Sequence, residues 1–347
     1  MTSQDAPARR PSMFDVAKLA GVSHQTVSRV LNQSPAVAEP TRRRVLDAIA
    51  ASGYRRNQAA RQLATARSAV IGVITPRTEL YGPSRSVLAI EAAARERGYW
   101  VSLASLPQVT AEAMTAALDH FMDQSVAAVA VVAPNPQALR ALEEATDLPP
   151  AVAVTSGPAA PGLAVADVDQ LAGSELATEY LIGLGRKRIA HIAGPADFYH
   201  SRLRAQVWAE TLRRHGLEAD LTVSGDWSGP SGVVAATRLL AAGPPDAIFA
   251  GNDLMAMGAM VALRRAGLSV PGDVAIVGFD NVPGSDVTEP SLTTIDQDHE
   301  ALGRAVVDLL HARLSRPARA AAPEPQPDAV QQPTVLVAPR LVVRESA

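Results

Sequence analysis

Apolar residues at helical spacing predict three short helices near the start of the chain. They recur over 14–20, 22–31 and 45–50, and Gly21 stands in the short turn between the first two stretches. Ser23 is a preferred N-cap residue and comes near the start of the second stretch. Two short helices joined by a glycine-containing turn form a helix-turn-helix unit, so the pattern predicts such a unit over 1–56.

A fourth and very short helix is predicted over 57–66. Asn57 gives this alanine-rich segment a polar start. A helix of about ten residues is marginal on its own in water. We therefore expect 57–67 to be a hinge helix or linker that becomes ordered only against a partner.

From Ala69 onwards, continuous apolar runs alternate with helical stretches. Runs such as "AVIGVIT", "VAAVAVVA" and "DAIFAGND" predict buried parallel strands, each followed by a helix that covers the sheet. The series is long enough for two α/β lobes. The fold expected is therefore a small all-α helix-turn-helix head over 1–56 and a two-lobed α/β body with parallel sheets over 68–347.

The two lobes of the body are predicted to exchange chain segments. We assign about 68–166 and 297–315 to the first lobe, and about 167–294 and 334–347 to the second. Residues 316–333 are rich in Pro, Gln and Ala and are expected to form a flexible surface loop. A last strand, "TVLVAPRLVV", is predicted to follow this loop.

Charge separates the head from the body. The segment 1–67 carries a net charge of +7 and the remainder carries −10, which indicates a polyanionic partner for the head alone. No apolar run is long enough to span a membrane, and the N-terminus lacks the apolar core of a secretory signal. The chain has no cysteine, which excludes disulfides and thiol catalysis. We expect a cytoplasmic protein.

Side chains that can read base edges lie on one side of the second helix. His24 and Gln25 stand at its N-terminal end, which faces the bases in a helix-turn-helix unit, and Arg29 lies one turn beyond Gln25. Arginine pairs with guanine and glutamine with adenine, each for about 1–3 kcal/mol of discrimination. Thr26 is expected to contact phosphate or to cap the helix. The alternative interpretation is a solvated face without a partner.

The sequence carries no signature of catalysis. It lacks the G-x-S-x-G, G-x-G-x-x-G and G-x-x-x-x-G-K-[ST] motifs, and its seven histidines show no metal-ligand spacing. We therefore expect a protein that is not an enzyme and that needs no metal ion and no cofactor.

Polar residues stand where the predicted strands of the second lobe end. Trp227, Asn252 and Asp280 follow three of these strands, and Arg204 lies in the stretch "HSRLR" after a fourth. The carboxyl ends of parallel strands share one edge, so we expect these side chains to converge. A carboxylate, an amide, a guanidinium and an indole together suit a neutral polyol, whose ring has paired hydroxyls and an apolar face.

Several nearby residues are interpreted first as structural. Asp253 is expected to be the N-cap of the helix predicted from 254. Asp167 and Asp169 are expected to cap the helix predicted from 170, with ligand contact as the alternative, and Arg202 is expected to be structural.

Long stretches of the chain resemble the lactose-repressor/galactose-repressor (LacI/GalR) family. They are "DVAKLAGVS" and "TVSRVLN" in the head, and "SRLR", "GDWS", "GNDLMAMGA" and "VGFDN" in the body. The resemblance covers the chain apart from its first dozen residues and the insertion near 316–333. It implies a periplasmic-binding-protein-like body and a transcriptional regulator, more specifically a repressor, that binds a pseudo-palindromic operator. A small ligand, expected to be a mono- or disaccharide, is implied between the two lobes.

The resemblance also implies residue roles. It assigns His24, Gln25 and Arg29 to the bases of the operator and inserts Leu63 into the minor groove. The full set of residues expected to contact DNA is His24, Gln25, Thr26, Arg29, Asn32, Asn57 and Leu63. The residues it assigns to the ligand are Leu80, Gly82, Pro83, Arg204, Trp227, Asn252, Asp280 and His299. His299 departs from the pattern because an aromatic residue is expected there. Ala133 and Pro134 depart from it because a polar side chain is expected after the strand "VAVV".

Two alternatives remain at the level of sequence. One is a two-lobed sugar-binding protein without a regulatory role, which the helix-turn-helix head disfavours. The other is a regulator that senses a purine or nucleoside, which Trp227 with Asp280 and Arg204 disfavours. The tail after Arg344 has no heptad repeat, so we expect a homodimer rather than a tetramer. Whether the ligand releases or strengthens DNA binding is open.

Overall fold

The computed structural model describes most of the chain in two units. The head lies within residues 1–67 and the body within 68–347. The described residues are 11–32, 34–54, 68–76, 79–107, 110–145, 148–158, 163–315 and 334–347. The segment 57–67, with Asn57 and Leu63, and the segment 316–333, for which a flexible loop was predicted, lie outside the described residues.

The described residues form eleven helices and twelve strands. The helices are α1 (Met13–Ala20), α2 (His24–Leu31), α3 (Glu39–Ser52), α4 (Tyr81–Glu96), α5 (Ala111–Asp123), α6 (Pro136–Glu143), α7 (Gln170–Gly183), α8 (Tyr199–Arg214), α9 (Gly229–Ala241), α10 (Asp253–Arg265) and α11 (His299–Leu314). The strands are β1 (Val70–Pro76), β2 (Trp100–Leu106), β3 (Ala128–Val132), β4 (Ala151–Val154), β5 (Ala164–Val168), β6 (Ile189–Ala193), β7 (Thr222–Ser224), β8 (Ala247–Ala250), β9 (Ala275–Val277), β10 (Thr294–Asp296), β11 (Thr334–Val337) and β12 (Arg340–Val342).

The head is a three-helix unit whose helix ends are set by local sequence. Ser23 caps α2, because its Oγ accepts a hydrogen bond from the Thr26 N–H at 3.2 Å. Gly21 ends α1 with a φ of 62°, a left-handed conformation that glycine adopts without strain. Buried valines of α1, α2 and α3 form the core; they are Val16, Val27, Val30 and Val45.

Each lobe of the body is a parallel sheet covered by helices. The first-lobe sheet has six strands in the order β11-β5-β4-β3-β1-β2, and the second-lobe sheet has four in the order β7-β6-β8-β9. Strands β3, β4 and β6 are buried over their whole length, as expected for strands covered on both faces. The carboxyl ends of the strands in each sheet point to one edge, where the loops that build the site begin.

Two of the predicted boundaries between the lobes differ from those in the structure. Strand β11 pairs with β5 in the first-lobe sheet, whereas β12 pairs antiparallel with β10 in a separate two-stranded sheet. The assignment of 334–337 to the second lobe was therefore wrong, and so was the single last strand. An apolar run predicts a strand but does not indicate which open sheet edge it joins. Asp167 likewise belongs to the first lobe, because β5 continues to Val168.

Among the helices of the described residues, none combines the length and the apolar character needed to cross a membrane.

Candidate functional site

The head exposes one face of α2. Val27 and Val30 are buried in its core, whereas His24, Gln25 and Arg29 are exposed. This division follows from the helical repeat, which separates the buried pair from the polar side chains. The three side chains predicted to read bases are therefore free of the head core, and their contact with DNA stays a prediction.

Thr26 and Asn32 are two further residues that were predicted to contact DNA. Thr26 is half-buried, and its Oγ1 lies 3.0 Å from the Oγ of the capping residue Ser23. Asn32 follows the last residue of α2 and is exposed. Thr26 thus takes part in the cap, which was one of the two roles expected for it.

The body contains a cavity between its lobes, at the carboxyl ends of both parallel sheets. The space between the lobes is called the cleft below, and its cavity has a volume of about 430 Å³. All eight residues predicted to contact a ligand line it, namely Leu80, Gly82, Pro83, Arg204, Trp227, Asn252, Asp280 and His299. This volume lies in the usual range of small-molecule sites.

Arg204 is a buried guanidinium at the centre of the second-lobe wall. It is 3% exposed, and its carbon Cζ lies 3.6 Å from the centre of the Phe279 ring. Its Nε and Nη2 atoms donate to Gln170 Oε1 at 2.9 and 2.7 Å, and Nη1 donates to the carbonyl of Gly251. Burial lowers the pKa of Arg204 to about 10, and the nearby carboxylates of Asp280 and Asp167 act in the opposite direction. The side chain therefore stays charged at neutral pH and organises the groups around it.

A chain of amides connects Arg204 to Asp280. A guanidinium can only donate, so the oxygen of Gln170 must face it and the Gln170 amide nitrogen must face away. That nitrogen donates to Gln297 Oε1 at 3.0 Å, and Gln297 Nε2 donates to Asp280 Oδ1 at 2.6 Å. Neither glutamine was predicted as a site residue, because a buried amide belongs to no sequence motif. The one available signal was that Gln170 directly follows a predicted strand end.

Asp280 is the carboxylate at the end of this series of hydrogen bonds. It follows β9, has a φ of 109°, and is 8% exposed. Burial raises the pKa of Asp280 to about 6, even though Arg204, His200 and the bond from Gln297 act to lower it. Asp280 is therefore mostly ionised at neutral pH and can accept hydrogen bonds from hydroxyl groups in the cleft.

The indole of Trp227 packs where two strand-end residues have no side chain. A Cβ on Gly194 would overlap the indole, and one on Gly251 would lie 3.4 Å from it. Phe198 meets the indole edge-on, with ring centres 5.9 Å apart. Asn252 Nδ2 donates to the Trp227 carbonyl at 3.0 Å and holds the loop in place. The fixed, half-buried ring gives the cavity a flat apolar wall.

Asn252, and not Asp253, is the N-cap of α10. Asn252 Oδ1 accepts from the Met255 N–H at 2.9 Å, whereas Asp253 is buried and accepts from the Val282 N–H at 2.8 Å. The expectation for Asp253 was wrong because both residues are good N-caps and the sequence does not decide between neighbours. Burial, followed by the charge of Asp280, raises the pKa of Asp253 to about 8.

A polar contact joins the two lobes across the cleft. His200 of the second lobe lies with its Nε2 2.9 Å from Asp167 Oδ2 of the first lobe, and Ser156 donates to the same oxygen. Burial alone would raise the pKa of Asp167, but His200 and Ser156 hold it below its usual value. Beside this contact, the Tyr199 N–H donates to the Pro134 carbonyl at 2.9 Å.

The role of His200 was not predicted, and the helix cap expected first for Asp167 was wrong, whereas its alternative role near the ligand stays a prediction. The helix cap is Asp169, whose Oδ1 accepts from the Ala172 N–H at 2.9 Å. Asp167 instead lines the cavity with His200. Their pairing depends on how the lobes close, which a single sequence does not record.

The first-lobe wall is formed by the start of α4 and the start of α11. Leu80, Gly82 and Pro83 supply its α4 side. His299 is the first residue of α11 and meets Tyr81 edge-on at 6.2 Å. Burial, with repulsion from Arg85, lowers the pKa of His299 to about 4, so its ring is neutral. Within the described part of the chain neither of its ring nitrogens has a hydrogen-bond partner.

No group of three or more His, Cys, Asp or Glu in the described residues is arranged to hold a metal ion.

Two family models match the chain. The model described as "Bacterial regulatory proteins, lacI family" matches residues 12–57, and the one described as "Periplasmic binding protein-like domain" matches residues 178–347. Among curated proteins, the chain is 37% identical over 303 residues to the lactose operon repressor of Escherichia coli (strain K12). That match covers 86% of this chain and 83% of the repressor.

Solved structures extend this similarity over almost the whole chain. The lac repressor dimer bound to operator and the anti-inducer ONPF has a TM-score of 0.84 at 33% identity, and the match covers 97% of this chain and 99% of that one. A complex of the transcriptional regulator CelR with cellobiose has a TM-score of 0.70 at 31% identity, and the match covers 97% of this chain and 100% of that one.

The network around Arg204 predicts an unequal response to two glutamine substitutions. Gln170→Ala removes the acceptor of two guanidinium nitrogens and should lower the free energy of unfolding of the body by about 1–3 kcal/mol or more. Urea unfolding of the full chain measures this loss. The matched control is Gln206→Ala, which removes an exposed amide of α8 bonded to Glu210 and should change stability by no more than about 0.5 kcal/mol. Equal stability of the two variants would contradict the role given to Gln170.

Proposed function

This chain belongs to the lacI family of bacterial regulatory proteins, and on that basis we propose that it is a DNA-binding transcriptional repressor controlled by a sugar. The head binds a pseudo-palindromic operator as part of a homodimer, and the sugar lies in the cleft of the body. Because it acts on DNA, the proposed localisation of the protein is the cytoplasm. The protein works by binding, and the proposal includes no catalysed reaction.

The observation that carries the proposal is the exposed face of α2. His24, Gln25 and Arg29 project from a helix whose valines fix it in the head core. An α-helix fits the major groove, and arginine and glutamine each make paired hydrogen bonds to one kind of base. The net charge of +7 over 1–67 adds attraction for phosphate that is independent of sequence. The similar lac repressor structure is a dimer bound to operator.

The chemistry of the cleft supports a neutral sugar as the ligand. Asp280 accepts hydrogen bonds, the neutral imidazole of His299 supplies a donor and an acceptor, and Trp227 offers a flat apolar surface. A pyranose ring presents hydroxyls at its edge and C–H groups on its faces. The similar CelR structure holds cellobiose.

Charge in the cleft disfavours a phosphorylated ligand. Asp167 and Asp280 both line the cavity, and the donors of Arg204 are largely engaged by Gln170 and Gly251. A phosphate group would meet two carboxylates, and Arg204, which lies 4.0 Å from Asp280, has few free N–H donors to offer it. A neutral polyol meets the same carboxylates as hydrogen-bond acceptors.

Control of DNA binding follows from contacts that differ between open and closed arrangements of the lobes. The bond between His200 and Asp167 exists only when the lobes are close together. A ligand that touches Asp280 on one lobe and Leu80 on the other has more contacts in one arrangement than in another. It shifts the equilibrium by the difference between its affinities for the two.

Loss of Arg29 should weaken recognition of the operator and leave the cleft intact. Arg29→Ala is expected to reduce discrimination between operator and unrelated duplex by about 1–3 kcal/mol, the usual value of one paired base contact. Electrophoretic retardation of both duplexes measures this change, and a sugar-induced rise in melting temperature checks the cleft. The matched control, Arg213→Ala, removes one exposed charge from the body and should change neither quantity. Unchanged discrimination in Arg29→Ala would show that α2 is not the recognition helix.

Sugar affinity should fall as the pH falls through about 6. A hydroxyl donating to Asp280 favours its ionised form, and the pKa of this carboxyl in the free protein is raised to about 6. The affinity is therefore fully present above that value and declines below it, by at most about tenfold per pH unit. Calorimetric titration with a panel of mono- and disaccharides between about pH 7.5 and about pH 5 measures this slope.

The Asp280→Asn variant is the control for this slope, because it removes the carboxyl group to which the slope is assigned. It should bind the sugar weakly and lose the part of the pH dependence that belongs to Asp280. A slope identical to that of the unsubstituted protein would contradict the role of Asp280.

A further inference from the structure

A large aromatic side chain stands exposed beside the N-terminus of the recognition helix. Phe14 is the second residue of α1, and 69% of it is exposed. Its ring is stacked on the imidazole of His24, with ring centres 5.2 Å apart and planes inclined by 30°. A phenyl ring left largely in water gains little from apolar burial, so the stability of the head does not account for its place.

The ring of Phe14 stands on a rigid support. Ser12 and Asp15 form a capping box at the start of α1, in which the Asp15 carboxylate accepts from the Ser12 N–H at 2.7 Å and the Asp15 N–H donates to Ser12 Oγ at 3.3 Å. At the other end of α1, the Val22 N–H donates to the Ala17 carbonyl at 3.0 Å. The capping box fixes the start of α1, where Phe14 lies, and the bond from Val22 fixes the turn that leads to His24.

His24 needs support from outside its own helix. Helical side chains lean toward the N-terminus of their helix and pack on the preceding turn. As the first residue of α2, His24 has no preceding turn. Stacking on Phe14 covers one face of the imidazole and leaves both ring nitrogens, which lie at the edge of the ring, available to a base.

We propose that Phe14 is a positioning residue for DNA recognition, which holds the imidazole of His24 in the orientation that reads a base. The inference rests on the proposed DNA-binding function. A side chain held in its bound orientation loses less conformational freedom when it binds, so its preferred base gains affinity over the others. Phe14 acts through His24 and contributes to sequence preference without its own hydrogen bond.

The test is selection of duplexes from a library with a randomised segment, using the full-length chain. His24→Ala identifies the operator position at which His24 contributes to the base preference. Phe14→Ala should weaken the preference at that same position by about two- to tenfold, the range expected for one aromatic pair. Phe14→Tyr keeps the ring and should keep the preference. Leu19→Ala removes another exposed apolar side chain of α1 and is the matched control, with no change at that position.

A double variant separates positioning from direct contact. In a His24→Ala background, Phe14→Ala should have no further effect on base preference, because there is no imidazole left to orient. A second, additive loss would mean that Phe14 touches the DNA itself and would overturn the proposal. An unchanged preference in Phe14→Ala with the imidazole present would overturn it as well.

Two controls separate a loss of positioning from a loss of folding or of DNA binding. Thermal unfolding of each variant shows whether the head is folded, and Phe14→Leu replaces Phe14→Ala if the alanine variant unfolds, because leucine keeps apolar bulk without the ring. If the unsubstituted chain selects no duplex at all, the proposed DNA-binding function fails. A selected operator with no role for Phe14 overturns only the positioning.

Discussion

The body depends on the need to satisfy one buried positive charge. Arg204 lies in the second-lobe core with its guanidinium against Phe279, and removing such a group from water is costly unless its donors are matched. Gln170 and the Gly251 carbonyl supply acceptors, and Gln297 continues the chain to Asp280. These groups come from the start of α7, the end of β8, the segment after β10 and the end of β9. The requirement of one charge therefore fixes four loops at the edge where the cavity forms.

The same arrangement explains how a ligand in the cleft can favour one placement of the two lobes over another. Asp280 and Trp227 belong to the second lobe, Leu80 and Pro83 to the first, and His200 reaches Asp167 across the gap. Groups at strand ends are rigidly held, so in the proposed mechanism closure of the lobes, and not rearrangement of side chains, decides how many of them a ligand touches. This gives a small ligand a difference in affinity between arrangements, which is what control of DNA binding requires.

The sequence predicted what local chemistry determines. Ser23 and Gly21 set the ends of α1 and α2, and the polar residues Trp227, Asn252 and Asp280 follow strands whose carboxyl ends must share an edge. It failed where a decision depends on contacts distant in the chain. The strand over 334–337 joins β5, which lies near the middle of the chain, and its apolar pattern suits either lobe. Gln170 and Gln297 take their meaning from Arg204, and His200 from Asp167. Asp253 was misplaced for a local reason, since either of two neighbouring caps would begin α10.

In the proposed function the cleft and the DNA-binding head are coupled, and coupling between two binding sites must be reciprocal. The direct measurement determines operator affinity with and without the bound sugar, and sugar affinity with and without the operator duplex, all on the full-length chain. We expect both affinities to change by the same factor, on the order of 5- to 150-fold, in the same direction. A sugar that binds in the cleft with the same affinity whether or not the operator is bound would contradict it.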